Sequence, residues 1–242
     1  MLTQKAEIVS RLRRELFSLR GNELAKVDKG LVGDLGSLNE AFPDATFPTG
    51  AVHEFLCNKR EEVAATNGFV SAVAGQLMKK NGVTVWISSN NSLFPPAFKL
   101  FGIDPDRIIF IQLYKEKDLL WAMEEALKCN GLAAVVCELQ ELSFTSSRRF
   151  QLAVEQSAVT GFILRINPRK VVPTVCVCRW QISSLATEAT DLPGVGFPKW
   201  NVELLKVRNG KPGVWQVEWA AGKFHLLNEV AAIEFEQRKK TG

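Results

Sequence analysis

The chain has 242 residues, of which 46% are hydrophobic and 23% charged. These are ordinary proportions for a globular protein and exclude disorder as a description of the whole. Thirty Lys and Arg face 26 Asp and Glu, a net charge of +4. That surplus is too small to decide for or against nucleic acid, because affinity follows clustered charge rather than the total.

Residues 2–20 read as an amphipathic helix. Ile8, Leu12, Leu16 and Leu19 form one stripe, with Arg11, Arg13, Arg14 and Arg20 on other faces. Gly21-Asn22 stops it, and an irregular stretch with Gly30, Gly33, Gly36 and Pro43 follows. A rhythm then sets in. Ala51–Leu56 is a short strand, Glu62–Asn81 a helix, Val83–Ser88 a strand and Pro95–Phe101 a short helix. Arg107–Gln112, Leu132–Cys137 and Gly161–Arg165 are further strands, separated by helices over Glu116–Cys129 and Thr145–Ser157. Unbroken apolar strands alternating with helices predict an α/β protein with a mainly parallel sheet covered on both faces.

From Thr174 the rhythm changes. Thr174–Ile182, Asn201–Arg208 and Gly213–Trp219 are strands with no helix between them, and Asn209-Gly210 signals a hairpin. An antiparallel extension of the sheet is expected. Leu226–Lys239 reads as a closing amphipathic helix that ends in Arg238-Lys239-Lys240. The expected organisation is an N-terminal helix over 1–22, a core over 40–222, and a C-terminal helix with a basic tail over 223–242.

Five cysteines and two histidines, His53 and His225, supply no zinc pattern. Cys176 and Cys178 stand at strand spacing with no second pair to complete four ligands. Residues 1–20 are charged throughout, and no apolar run reaches the roughly 18 residues of a membrane span. A reduced cytoplasm is the expectation.

Ligands of doubly wound sheets bind beyond the carboxyl ends of the strands. The loop after the first strand is therefore the place for a phosphate cradle, G-x-x-x-x-G-K-[ST]. No such run lies between Cys57 and Gly68. The surrounding segments are nevertheless similar to a known family. Phe47-Pro48-Thr49-Gly50-Ala51-Val52-His53-Glu54-Phe55 resembles the entry to the ATPase core of RecA-type recombinases. Ile87–Asp104, ending in Phe101-Gly102-Ile103-Asp104, resembles the segment after that core's second strand, and Trp200–Gly210 its closing hairpin. More narrowly, Phe47–Phe55, Gly161–Arg165, Gly194–Trp200 and the Arg208–Gly213 hairpin with Trp215 and Trp219 resemble the ImuA family, RecA-like accessory proteins of bacterial SOS mutagenesis.

The resemblance implies a RecA-like three-layer fold with a degenerate nucleotide loop. Cys57 and Thr66 then stand at the loop glycines, Asn67 at the lysine and Gly68 at the Ser/Thr. Asn90 matches the water-orienting glutamate, and Cys137, or Glu138 with a one-residue shift, matches the magnesium-binding aspartate. An amide cannot replace the ammonium that offsets phosphate charge, and Asn90 cannot act as a base. No working ATPase, cofactor or metal is expected. What remains is an adaptor in error-prone translesion DNA synthesis. Its implied partners are an ImuB-like, inert Y-family polymerase relative and an alternative replicative polymerase alpha subunit, with RecA as a further contact. DNA contact would be weak or indirect, and no membrane is involved.

Two alternatives stand beside it. One is a cell-division inhibitor resembling SulA, which binds FtsZ; such chains are shorter and lack the first 45 residues and the terminal helix. The other is an ATP-dependent recombinase-like protein, which needs the missing Lys, Glu and Asp. Among surface residues, Arg148, Arg149, Arg165, Arg169 and Lys170 form a basic strip that is either plain solvated surface or a partner or DNA contact, as is Arg238-Lys239-Lys240. His53 reads as a packed strand residue. Trp180, Trp200, Trp215 and Trp219 read as core or as an aromatic binding surface.

Overall fold

The computed structural model describes residues 35–80, 82–90, 93–187 and 196–230. The helix expected over 2–20, most of the loop before Gly196, and Arg238, Lys239 and Lys240 lie outside the described residues.

The apolar runs become strands: β1 (Val52–Cys57), β2 (Val83–Ser88), β3 (Ile108–Gln112), β4 (Leu132–Leu139) and β5 (Thr160–Ile166). Four more follow: β6 (Cys178–Ser184), β7 (Lys199–Val207), β8 (Gly213–Ala220) and β9 (Lys223–Val230). They form one sheet in the order β3-β2-β4-β5-β1-β6-β7-β8-β9. It is parallel from β3 through β6 and antiparallel beyond. The central strands are buried on both faces, which is why they lack alternation; β7 and β8 alternate. This is a RecA-like α/β fold, as the sequence predicts.

Helix α1 (Arg60–Leu77) packs on one face with Phe55, Trp86, Phe162 and Trp180. Helices α2 (Glu116–Leu127) and α3 (Phe144–Ser157) cover the other face, over Val85, Ile87, Val135 and Ile163. All four tryptophans of the terminal sheet are buried on the α1 side, so they are core rather than a binding surface. His53 is likewise packed in the core.

Two local expectations change. The helix over Leu226–Lys239 does not begin there, because Lys223–Val230 is a strand. Ala221 and Gly222 both have positive φ, 50° and 73°, the conformation a two-residue hairpin loop needs to match strand twist. The chain therefore returns along β8 and seats Phe224 edge-on against Trp219, with ring centroids 4.8 Å apart. The short helix expected over Pro95–Phe101 is present as a 3-10 helix. And β6 starts at Cys178, not Thr174, because Thr174 and Val175 are held by side chains of other elements.

Candidate functional site

At the carboxyl end of β1 only Asn58 and Lys59 separate the strand from α1. The first turn of the helix carries Glu61 and Glu62, whose charge complements the helix dipole where a phosphate would otherwise sit. Glu62 Oε2 accepts the backbone N–H of Asn58 at 2.7 Å, and Oε1 accepts from Gln181 Nε2 at 3.4 Å. The residues matched to the nucleotide loop lie elsewhere than expected. Thr66, Asn67 and Gly68 sit inside α1, beyond its first turn, not in the strand-to-helix connection. Thr66 is buried with its hydroxyl 3.4 Å from Cys57 Sγ. The Asn67 carbonyl accepts from Ser71 Oγ at 2.6 Å, and Gly68 lies under the Trp200 ring.

The sheet register decides between the two candidates for the metal-binding acid. Cys137 pairs with Ile87 and Ile163 and faces α2 and α3, away from α1. Glu138, one residue on, points to the α1 side, where its neighbours include Trp86. Neither Glu138 Oε1 nor Trp86 Nε1 has an aligned hydrogen-bond partner. Burial raises the Glu138 carboxyl to about 6, partly offset by the indole. Burial also pushes the Cys57 thiol up to about 11, with Glu62 and Glu138 adding in the same direction. Asn90 lies exposed just past β2, where its carbonyl accepts from Ser88 Oγ at 2.8 Å. The site is thus lined by the Glu62 and Glu138 carboxyl groups and the Cys57 thiol, with Lys59 and Arg60 exposed at its rim.

On the opposite face, β1, the carboxyl end of β5 and the start of β6 carry a buried ion network. Glu54 Oε1 accepts from Arg165 Nη1 at 2.9 Å, and Oε2 accepts from Arg179 Nε and Thr174 Oγ1, each at 2.9 Å. Arg165 also donates to Glu141 Oε2 at 3.1 Å and to the Lys170 carbonyl at 2.7 Å. Arg165 is therefore not part of an exposed basic strip: it is fully buried and paired. Arg148, Arg149, Arg169 and Lys170 are exposed as expected, with Arg149 in an ion pair with Glu124. Glu54 was the missed residue, and its signal was a carboxylate inside an unbroken buried strand, where it needs partners.

Among the described residues, no group of three or more His, Cys, Asp or Glu is placed to hold a metal ion. No described helix is long and apolar enough to cross a membrane.

Strand order, layering and the position of this carboxyl-end site define a RecA-like protein whose β1–α1 connection is Asn58-Lys59 alone. No family model matches the sequence. The chain is 32% identical over 192 residues to Protein ImuA of Caulobacter vibrioides strain NA1000 / CB15N, covering 74% of this chain and 79% of that protein. The same figures hold for Protein ImuA of Caulobacter vibrioides strain ATCC 19089 / CIP 103742 / CB 15. The chain belongs to the ImuA family.

Proposed function

We propose that this protein is a non-catalytic adaptor in damage-induced mutagenesis, acting in translesion DNA synthesis through protein contacts. The observation that carries the reading is the place where a recombinase would hold phosphate. Glu62 closes that turn on Asn58, and Glu138 and Cys57 line the floor. No lysine or Ser/Thr–hydroxyl pair stands in the first turn of α1 to hold phosphate and magnesium. Membership of the ImuA family supports the pathway. Exposed apolar side chains, among them Ile109 and Phe110 on β3 at the sheet edge and Trp121 on α2, support action by protein binding. The partners this reading takes are an ImuB-type Y-family polymerase relative and the alternative replicative polymerase subunit, with RecA as a third contact.

The test is capture from lysate of DNA-damaged cells of the source organism, paired with an ATP hydrolysis assay with and without single-stranded DNA. Recovery of the polymerase relative and no turnover is the expected result. Recovery of FtsZ without a polymerase would convert the reading to a division inhibitor, and DNA-stimulated hydrolysis would overturn the non-catalytic half.

A further inference from the structure

We propose that residues 167–175, with the first turns of α3, form a preordered cationic platform that binds an acidic, apolar segment of a partner protein. The segment has neither helix nor strand, yet four of its carbonyls are each held by a cation from a different position in the sheet. Arg165 donates to Lys170 O at 2.7 Å and Arg179 to Val172 O at 2.7 Å. Lys206 donates to Thr174 O at 2.8 Å and Arg208 to Val175 O at 2.8 Å. Glu141 Oε1 takes the Arg169 N–H at 2.9 Å, and Ser147 Oγ takes the Val175 N–H at 3.1 Å, which lays α3 alongside. Pro168 and Pro173 restrict the backbone further. A surface ordered in advance loses little entropy on binding.

Charge says what it binds. Glu54 and Glu141 pair with Arg165 and Arg179, and Glu116 Oε1 takes the Glu141 N–H at 2.8 Å; Arg169, Lys170, Lys206 and Arg208 add four further cations to these three carboxylates. The exposed tips are Arg148, Arg169 and Lys170, and the same two segments carry the exposed apolar side chains Phe144 and Val171, 53% and 49% exposed. Carboxylates answer the first group and apolar side chains the second. A nucleic-acid backbone fits less well. Glu141 reaches solvent beside Arg169, and the exposed Phe144 and Val171 have no counterpart on a phosphate backbone. The inference concerns the chemistry of the partner segment and stands apart from the pathway proposed above.

The probes are three fluorescein-labelled ligands titrated into the full chain: a synthetic peptide alternating Asp with Leu, one alternating Asp with Ser, and oligothymidylate. The Asp/Leu peptide should bind more tightly than the Asp/Ser peptide, and salt should weaken both. Arg169→Glu with Lys170→Glu should weaken the Asp/Leu peptide roughly tenfold or more. Phe144→Ala with Val171→Ser should erase its advantage over the Asp/Ser peptide. All four side chains are exposed, so the variants should melt within a few degrees of the parent. Equal binding of the two peptides, indifference to the charge reversal, or oligothymidylate competing for the surface with higher affinity would each overturn the proposal.

Discussion

Glu54 on β1 and Arg165 on β5 meet at 2.9 Å with both side chains 0% exposed. They are diagonal neighbours, since Arg165 pairs in register with Leu56 and Glu54 with Ile163. A charge in that position is tolerable only while it is paired and its remaining lone pairs are satisfied. Both Glu54 oxygens are used, so removing the carboxylate strands Arg165 in the interior and loosens Arg179 and Thr174.

Glu54→Gln should therefore cost about 3–5 kcal/mol of unfolding free energy, measured by urea denaturation. Glu54→Leu combined with Arg165→Met, which removes the stranded charge as well, should recover part of the loss. An unchanged urea midpoint for Glu54→Gln would show that the network holds nothing together.

Glu138 gives a pH dependence of the opposite origin. Its carboxyl is raised from 4.5 to about 6 by burial. A raised folded-state value means that the native state favours the protonated form. The stabilising contribution is full below about 4.5 and is lost as pH rises through about 6. The loss amounts to about 2 kcal/mol by pH 8. Glu138→Gln removes the titration, so its stability relative to the parent should increase from pH 5 to pH 8. Parallel pH profiles would refute the assignment.

The architecture was legible because its cues are local. Apolar strands between helices, then strands without helices, predict the sheet and its change of direction at β6, and the motif resemblance predicts the fold family. The misplacements have a common cause. The resemblance puts Thr66, Asn67 and Gly68 in a phosphate loop, but helix α1 begins earlier, at Arg60, once Glu62 closes the turn on Asn58. The helical spacing read over Leu226–Lys239 overlaps β9, yet the Ala221-Gly222 turn returns Lys223–Val230 to β8, where pairing and the burial of Phe224 override periodicity. Arg165 looked like surface because its counter-charge lies 111 residues away in sequence.

His53 should behave in the opposite sense to Glu138. Its ring stacks on Phe47 at 4.6 Å, its Nε2 lies 2.7 Å from the Pro48 carbonyl, and its Nδ1 faces Trp180 Nε1 at 3.4 Å. With Nε2–H donating to the carbonyl and Nδ1 accepting from the indole, the neutral tautomer satisfies both partners. Burial lowers its pKa from 6.5 to about 4, the Pro48 contact opposing in part. A depressed value contributes stability that is present above 6.5 and is lost as pH falls through about 4, of order 3 kcal/mol in all. Proton–nitrogen correlation spectra should show a neutral Nε2–H ring at pH 5.5. A protonated imidazolium there would contradict the packing.

Gly75 is the position where helix propensity and packing conflict most sharply. In an exposed helix, Gly→Ala stabilises by about 1 kcal/mol. Here a Cβ on Gly75 would stand 2.5 Å from the carbonyl oxygen of Phe101 and 3.2 Å from Ile103 Cγ1. The obstacle is main chain, so no rotamer change relieves it. Helix α1 would have to lift from the 3-10 turn at Pro95–Phe101, disturbing the hydrogen bond from Trp219 Nε1 to Leu100 O at 2.9 Å. Overpacking of this kind costs about 1–3 kcal/mol, which outweighs the propensity gain. Gly75→Ala should lower the melting temperature, while Gly131→Ala, where an added Cβ meets nothing within 4 Å, should leave it nearly unchanged. A stabilised Gly75→Ala would mean that α1 sits farther from that turn than the packing around Phe101 requires.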